Sequence, residues 1–186
     1  MIELLKQRRS NYNLEKNIPI SDDELKKLIV DITSLVPDAF NMQSARVVTL
    51  LDKSHEDFWD IVYDSFGGKV TEEKLAPFKK AKGTILYFID EDVVNKMANE
   101  FPSYSENFPI WANHANAMLQ FAMWTALREK NIGASLQHYN PVIDENVKTK
   151  FNIPANFKLI AEMPFGGIAE EAPFKEKNGE KRVEFK

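Results

Sequence analysis

The chain has 186 residues, a formal net charge of -4, 44% hydrophobic and 28% charged residues, and thirteen Phe, five Tyr and three Trp. That is enough for one sizeable core, and no composition break marks a linker, so a single domain over residues 1–186 is expected. Cysteine is absent, which excludes disulfides, thiolate catalysis and cysteine-based metal sites and fits a cytoplasmic protein; the mild acidity argues against a nucleic-acid partner, and neither a secretory leader nor a stretch of membrane-spanning length is expected.

The first element is a short helix that ends in "LLKQRRSNYNL" (4–14), where Arg8, Arg9 and Ser10 stand together. Two readings fit. Cations suit the negative end of a helix, and an arginine fork beside a hydroxyl suits a phosphate. Ser21 and Glu24 then form an S-x-x-E capping box ahead of Leu25, Leu28, Ile29 and Ile32, which predicts a helix over about 22–35 that Pro37 helps to stop. In "PDAFNMQSAR" (37–46), Asn41 and Gln43 would present two amides on one side if the segment is extended.

"ARVVTLL" (45–51) reads as a strand, and "SHEDFWDIVYDSF" (54–66) as a helix capped by Ser54 and ended by Gly67 and Gly68. "GTILYFI" (83–89) is apolar almost throughout and predicts a central strand covered on both faces. In "FPIWANHANAMLQFAMWTALREKNIG" (108–133) apolar residues occupy nearly every side of the helical wheel. A surface helix is excluded on that reading; the helix either spans the interior or packs against a second subunit. "GASLQ" (133–137) and "FKLIAEMPFGG" (157–167) complete the strands, and the polar tail should reach out from the core.

The three histidines form no close pair, so no metal site is expected. His55 reads as a first-turn surface residue, His114 as a residue satisfied within the central helix, and His138 as the one beside a ligand. Neither G-x-S-x-G nor G-x-G-x-x-G is present, so a nicotinamide donor needs no Rossmann site of its own. Phe101, Tyr104, Phe108 and Trp111 are the aromatics available to line a pocket for a small substrate.

"RRS", "NMQSAR", "NFPIWANHANAMLQFAMWTAL", "GASLQHYNP" and "FGGIAEEAPFKEK", in this order and over essentially the whole chain, resemble the flavin-dependent nitroreductase family. More narrowly, they resemble its short branch related to the yeast fatty-acid-repression nitroreductases. The resemblance implies an α+β fold, a mixed sheet flanked by helices, in an intertwined homodimer with two FMN sites at the interface. It implies that Arg8 and Ser10, flanked by Arg9, contact FMN, and that Lys175 and Lys177 hold its phosphate. Asn41 and Gln43 would reach the FMN bound mainly by the other subunit, and Gln137, His138, Tyr139 and Asn140 would lie near the flavin's reactive face.

Many family members carry a basic residue two places after the serine, beside the flavin pyrimidine, where this chain has Tyr12. Lys79, Lys80 and Lys82 are the candidates to replace that charge. The activity implied is ping-pong hydride transfer from NADH or NADPH through flavin N5, with no catalytic side chain, to a small acceptor such as a nitroaromatic or quinone. The alternatives are a flavin-binding regulatory or stress-response protein with incidental turnover, and a plain anion-binding module.

Overall fold

The computed structural model describes residues 1–177 and 179–186, the side chain of residue 181 excepted. Its spine is β3 (Gly83–Asp90), every residue of which is buried. It lies between β2 (Ala45–Leu51) and β5 (Phe157–Ile168) and pairs antiparallel with both. β5 also pairs antiparallel with β1 (Leu14–Glu15) and β4 (Gly133–Ala134), while Ser10 makes a parallel bridge to Ala134 that mixes the sheet at that edge. The alternation of β3 divides the core. Leu86 and Phe88 face α3 (Asp52–Ser65), α4 (Glu72–Lys79) and α7 (Asp144–Phe151), and Ile85 and Tyr87 face α2 (Asp22–Leu35) and α6 (Phe108–Glu129). A strand sandwiched in this way has no polar face, which is why its sequence is continuously apolar.

The capping box of α2 forms as expected: Glu24 N–H donates to Ser21 Oγ at 3.3 Å and Ser21 N–H to Glu24 Oε2 at 2.8 Å. α3 departs from expectation. It starts at Asp52, directly from the end of β2, with no side-chain cap, and Ser54 lies inside it. His55 stands at helical spacing (i, i+3, i+4, i+7) with Phe58, Trp59 and Val62, on the face packed against the sheet, so it is buried rather than exposed, with Nδ1 2.9 Å from Thr84 Oγ1. Burial holds its pKa below the usual imidazole value.

α4, α5 (Glu91–Glu100) and α7 lie in segments where the sequence reading names no element. Within "GASLQ" only Gly133 and Ala134 form regular strand, but the segment stays against β5: Ser135 N–H donates to Pro164 O at 3.2 Å, and Gln137 and Glu162 exchange N–H···O bonds of 2.7 and 3.0 Å. α6 buries Phe108, Ala112, Ala115, Leu119, Met123 and Leu127 but leaves Ile110, Met118 and Phe121 exposed by 52%, 46% and 48%. The expectation that this helix cannot lie at the surface is thus corrected for the single chain: one apolar flank faces outward, and His114 lies on the exposed side. Gly167 is required where it stands, since a Cβ there would lie 2.2 Å from Asn17 O, in the segment following β1.

Candidate functional site

α1 (Ile2–Gln7) ends at Arg8, whose N–H donates to Leu4 O at 2.9 Å. The next residues run along β4: Asn11 N–H donates to Ala134 O at 3.0 Å. The segment after β5 returns to the same place, because Ala169 N–H donates to Asn13 O at 3.2 Å and Asn13 Nδ2 to Glu170 Oε2 at 2.8 Å. Between the two segments lies a cavity of about 560 Å³. Arg8, Arg9, Ser10, Tyr12, Lys175 and Lys177, far apart in sequence, all line it.

The charges in this cavity do not cancel. Glu171 is engaged by Arg128 at 2.9 Å and Glu170 by Asn13, whereas among the described residues Arg8, Arg9, Lys175 and Lys177 make no ion pair. The Nε atoms of Arg8 and Arg9 are buried without a hydrogen-bond partner. Burial, and then the neighbouring Arg9, lower the pKa of the Arg8 guanidinium from its ordinary value. An anion in the cavity would satisfy the orphan donors and offset the like-charge repulsion together. The donor set therefore fits a phosphate-bearing group.

Asn41 and Gln43 line a second cavity of about 570 Å³, between α2, β2 and α6, which shares no lining residue with the first. They are not extended as expected. Ala39–Asn41 is a 3-10 turn, and Phe40, Asn41 and Gln43 have φ of 54°, 51° and 52°. Three such residues within the four from Phe40 to Gln43 are costly, and the loop is held by Asp38 Oδ2, which accepts from Ser44 N–H at 2.8 Å and Ser44 Oγ at 2.7 Å.

Phe101, Tyr104, Phe108 and Trp111 come together around a residue the sequence reading does not single out. The Phe40 ring centroid lies 5.0, 5.9, 5.3 and 5.8 Å from theirs, and its plane is 19° from that of Trp111. An aromatic between "PDA" and "NMQ", in a polar loop, is the sequence signal that could have marked it.

Gln137, His138, Tyr139 and Asn140 line neither cavity. The Tyr139 ring packs inward, 5.8 Å from Trp59 and 5.7 Å from Phe66; Gln137 Nε2 donates to Ser135 Oγ at 3.0 Å and Asn140 Nδ2 to Leu159 O at 3.2 Å. His138 is the exposed side chain of the four. Beneath them is Glu162, another residue the sequence reading passes over. It is fully buried, with Oε2 accepting from Tyr139 N–H at 2.9 Å and Oε1 unpartnered. Burial pushes its pKa up to about 8 against the lowering effect of the Tyr139 and Asn140 N–H groups, and Asp144 adds to the rise. Of the three lysines considered near Tyr12, Lys79 pairs with Asp60 and Lys82 with Asp22, and none lines the cavity that holds Tyr12.

An antiparallel-rich sheet between two helical layers, with a cationic pocket at its β4 edge whose donors fit an anion, defines an α+β protein. The nitroreductase family model matches residues 5–167, and the chain belongs to that family. HBN1 of Saccharomyces cerevisiae is 31% identical over 168 residues, 89% of this chain and 86% of its own length. The nitroreductase FRM2 of the same yeast is 29% identical, over 93% of this chain and 92% of its own. Nitroreductase CinD from Lactococcus lactis, solved in complex with 4-nitrophenol, superposes with a TM-score of 0.87 at 38% identity, covering 95% of this chain and 93% of that one. Among the described residues no helix is long and apolar enough to cross a membrane, and no cluster of three or more acidic or histidine side chains could hold a metal ion.

Proposed function

We propose that this protein is an FMN-dependent oxidoreductase, working as a homodimer, that takes electrons from NADH or NADPH and passes them to a small acceptor such as a nitroaromatic or a quinone. The observation that carries the reading is the cavity in which, among the described residues, Arg8, Arg9, Lys175 and Lys177 make no ion pair. When bound, FMN would supply the hydride chemistry that the chain's own side chains lack. Arg8, Arg9 and Ser10 bind its phosphate and ribityl oxygens from one side, and Lys175 and Lys177 from the other. Tyr12, in the same cavity, would take the place beside the pyrimidine where many family members carry a basic residue.

Asn41 and Gln43, in a cavity separate from the clamp of their own chain, serve the flavin of the partner subunit. The loop Gln137–Asn140 approaches the reactive face through its backbone and His138, since the Tyr139 ring is turned into the core. Phe101, Tyr104 and Trp111, gathered with Phe40, provide flat apolar surface that excludes water and stacks a planar acceptor, whereas Phe108, expected to line the pocket with them, is fully buried and only supports the cluster from beneath. The 4-nitrophenol complex of CinD supports an acceptor of that shape.

The test is a visible spectrum of the purified protein with mass spectrometry of the denatured supernatant, followed by anaerobic addition of NADH and NADPH in turn. A yellow protein releasing FMN, bleached by either nucleotide and reoxidised by 4-nitrophenol or a quinone, is the expected result. No flavin bound and none taken up overturns the cofactor; a bound flavin that neither nucleotide reduces points instead to a flavin-binding regulator.

A further inference from the structure

The clamp residues lie outside the regular helices and strands, yet Arg8 does not hang free. Its guanidinium carbon lies 4.1 Å from the centroid of the Trp124 ring, with Phe121 at 5.8 Å. Trp124 is itself fixed, because its Nε1–H donates to Ala134 O at 3.1 Å, the same carbonyl that accepts Asn11 N–H at 3.0 Å. One β4 carbonyl thus ties together the indole and the segment that carries Arg8 and Ser10. Trp124 also lines the cationic cavity.

A cation over an aromatic face keeps its N–H edges free, whereas a carboxylate partner would occupy them. Arg8 has no such carboxylate among the described residues, and its Nε is buried and unpartnered. The indole therefore holds the charge in place, and leaves the donors available, in a way an acidic neighbour would not.

We infer that Trp124 is a positioning residue for anion binding, a platform that orients the Arg8 guanidinium toward the phosphate of the bound ligand. The inference rests on the FMN reading for the identity of that ligand, and on geometry alone for the presence of an anion site. The platform acts on the phosphate end. Its loss should weaken phosphate-bearing ligands selectively, by about tenfold for a cation–π contact in a partly desolvated site.

The experiment measures FMN and riboflavin affinity, by quenching of flavin fluorescence, for wild type, Trp124→Phe, Trp124→Leu and Trp124→Met. Leu and Met both lack a ring, so either serves if the other does not fold. The ringless variants are expected to bind FMN about tenfold more weakly while riboflavin affinity stays the same, and Trp124→Phe to recover most of the loss. A second arm uses inorganic phosphate alone: it should raise the Tm of wild type and Trp124→Phe more than that of a ringless variant. Equal weakening of FMN and riboflavin, or equal stabilisation of all variants by phosphate, overturns the inference. If wild type binds neither flavin, the FMN reading fails, and the phosphate arm still decides the role of Trp124.

Discussion

On the FMN reading, replacing Arg8 by Ala would remove charge-assisted hydrogen bonds that typically contribute roughly 1.5–3 kcal/mol each. FMN affinity should fall by about one to two orders of magnitude, since ~1.4 kcal/mol is a factor of ten. Arg8→Lys should recover only part of this, because a point charge keeps the attraction but not the fork or the flat face on Trp124. Fluorescence titration with melts of the apo forms checks both, and unchanged affinity in Arg8→Ala would reduce the cluster to a helix cap.

Glu162 gives a second prediction. With its folded pKa raised to about 8 from the ordinary 4.5, the native state holds a proton that the unfolded chain has released across that window. Stability should therefore be fullest below the unfolded value and decline as pH rises toward 8, by up to a few kcal/mol at about 1.4 kcal/mol per pKa unit. Glu162→Gln keeps an acceptor for Tyr139 N–H and cannot ionise, so its urea stability should lose that decline between pH 5 and 8. A mutant with the same pH slope as wild type would contradict the assignment. Arg8 and Ser10 could be singled out from sequence because their residue types announce their chemistry. Glu162 and Trp124 could not, since each owes its role to a partner brought from elsewhere: Tyr139 and Ala134.

Among the elements, β2 and α2 match their sequence boundaries because each carries its own signal: apolar β-branched residues in one, a capping box in the other. α3 shows the opposite case. Its start is fixed by the end of β2, and Asp52, at φ 48°, makes the junction that Ser54 would otherwise have made. α4 holds Pro77 and eight residues, too little periodicity for a reading by pattern alone. For α6, an apolar wheel on every side does not distinguish burial within one chain from burial between two, and Ile110, Met118 and Phe121 stand where that difference falls. Placing a charge there should separate subunits without unfolding them: Met118→Asp is expected to shift the protein toward monomer in size-exclusion chromatography while its far-UV circular dichroism is retained. A dimer of undiminished strength would remove α6 from the interface.

For the whole molecule, the two cavities make the case for association, since the residues assigned to one flavin are divided between faces of the chain that share no lining. Light scattering at low micromolar concentration should report two chains per particle, consistent with obligate interfaces that commonly bury more than ~2,000 Å². A monomer that holds FMN at full affinity would contradict the division. The crossing of β1 with the end of β5, which Gly167 permits, has a consequence for how the protein is made. Arg8 precedes the sheet in the chain and Lys177 follows β5, so the two arms of the cationic cavity cannot meet until synthesis has passed β5. Until the segment after β5 has emerged, the early arginines carry their charge with no second arm facing them.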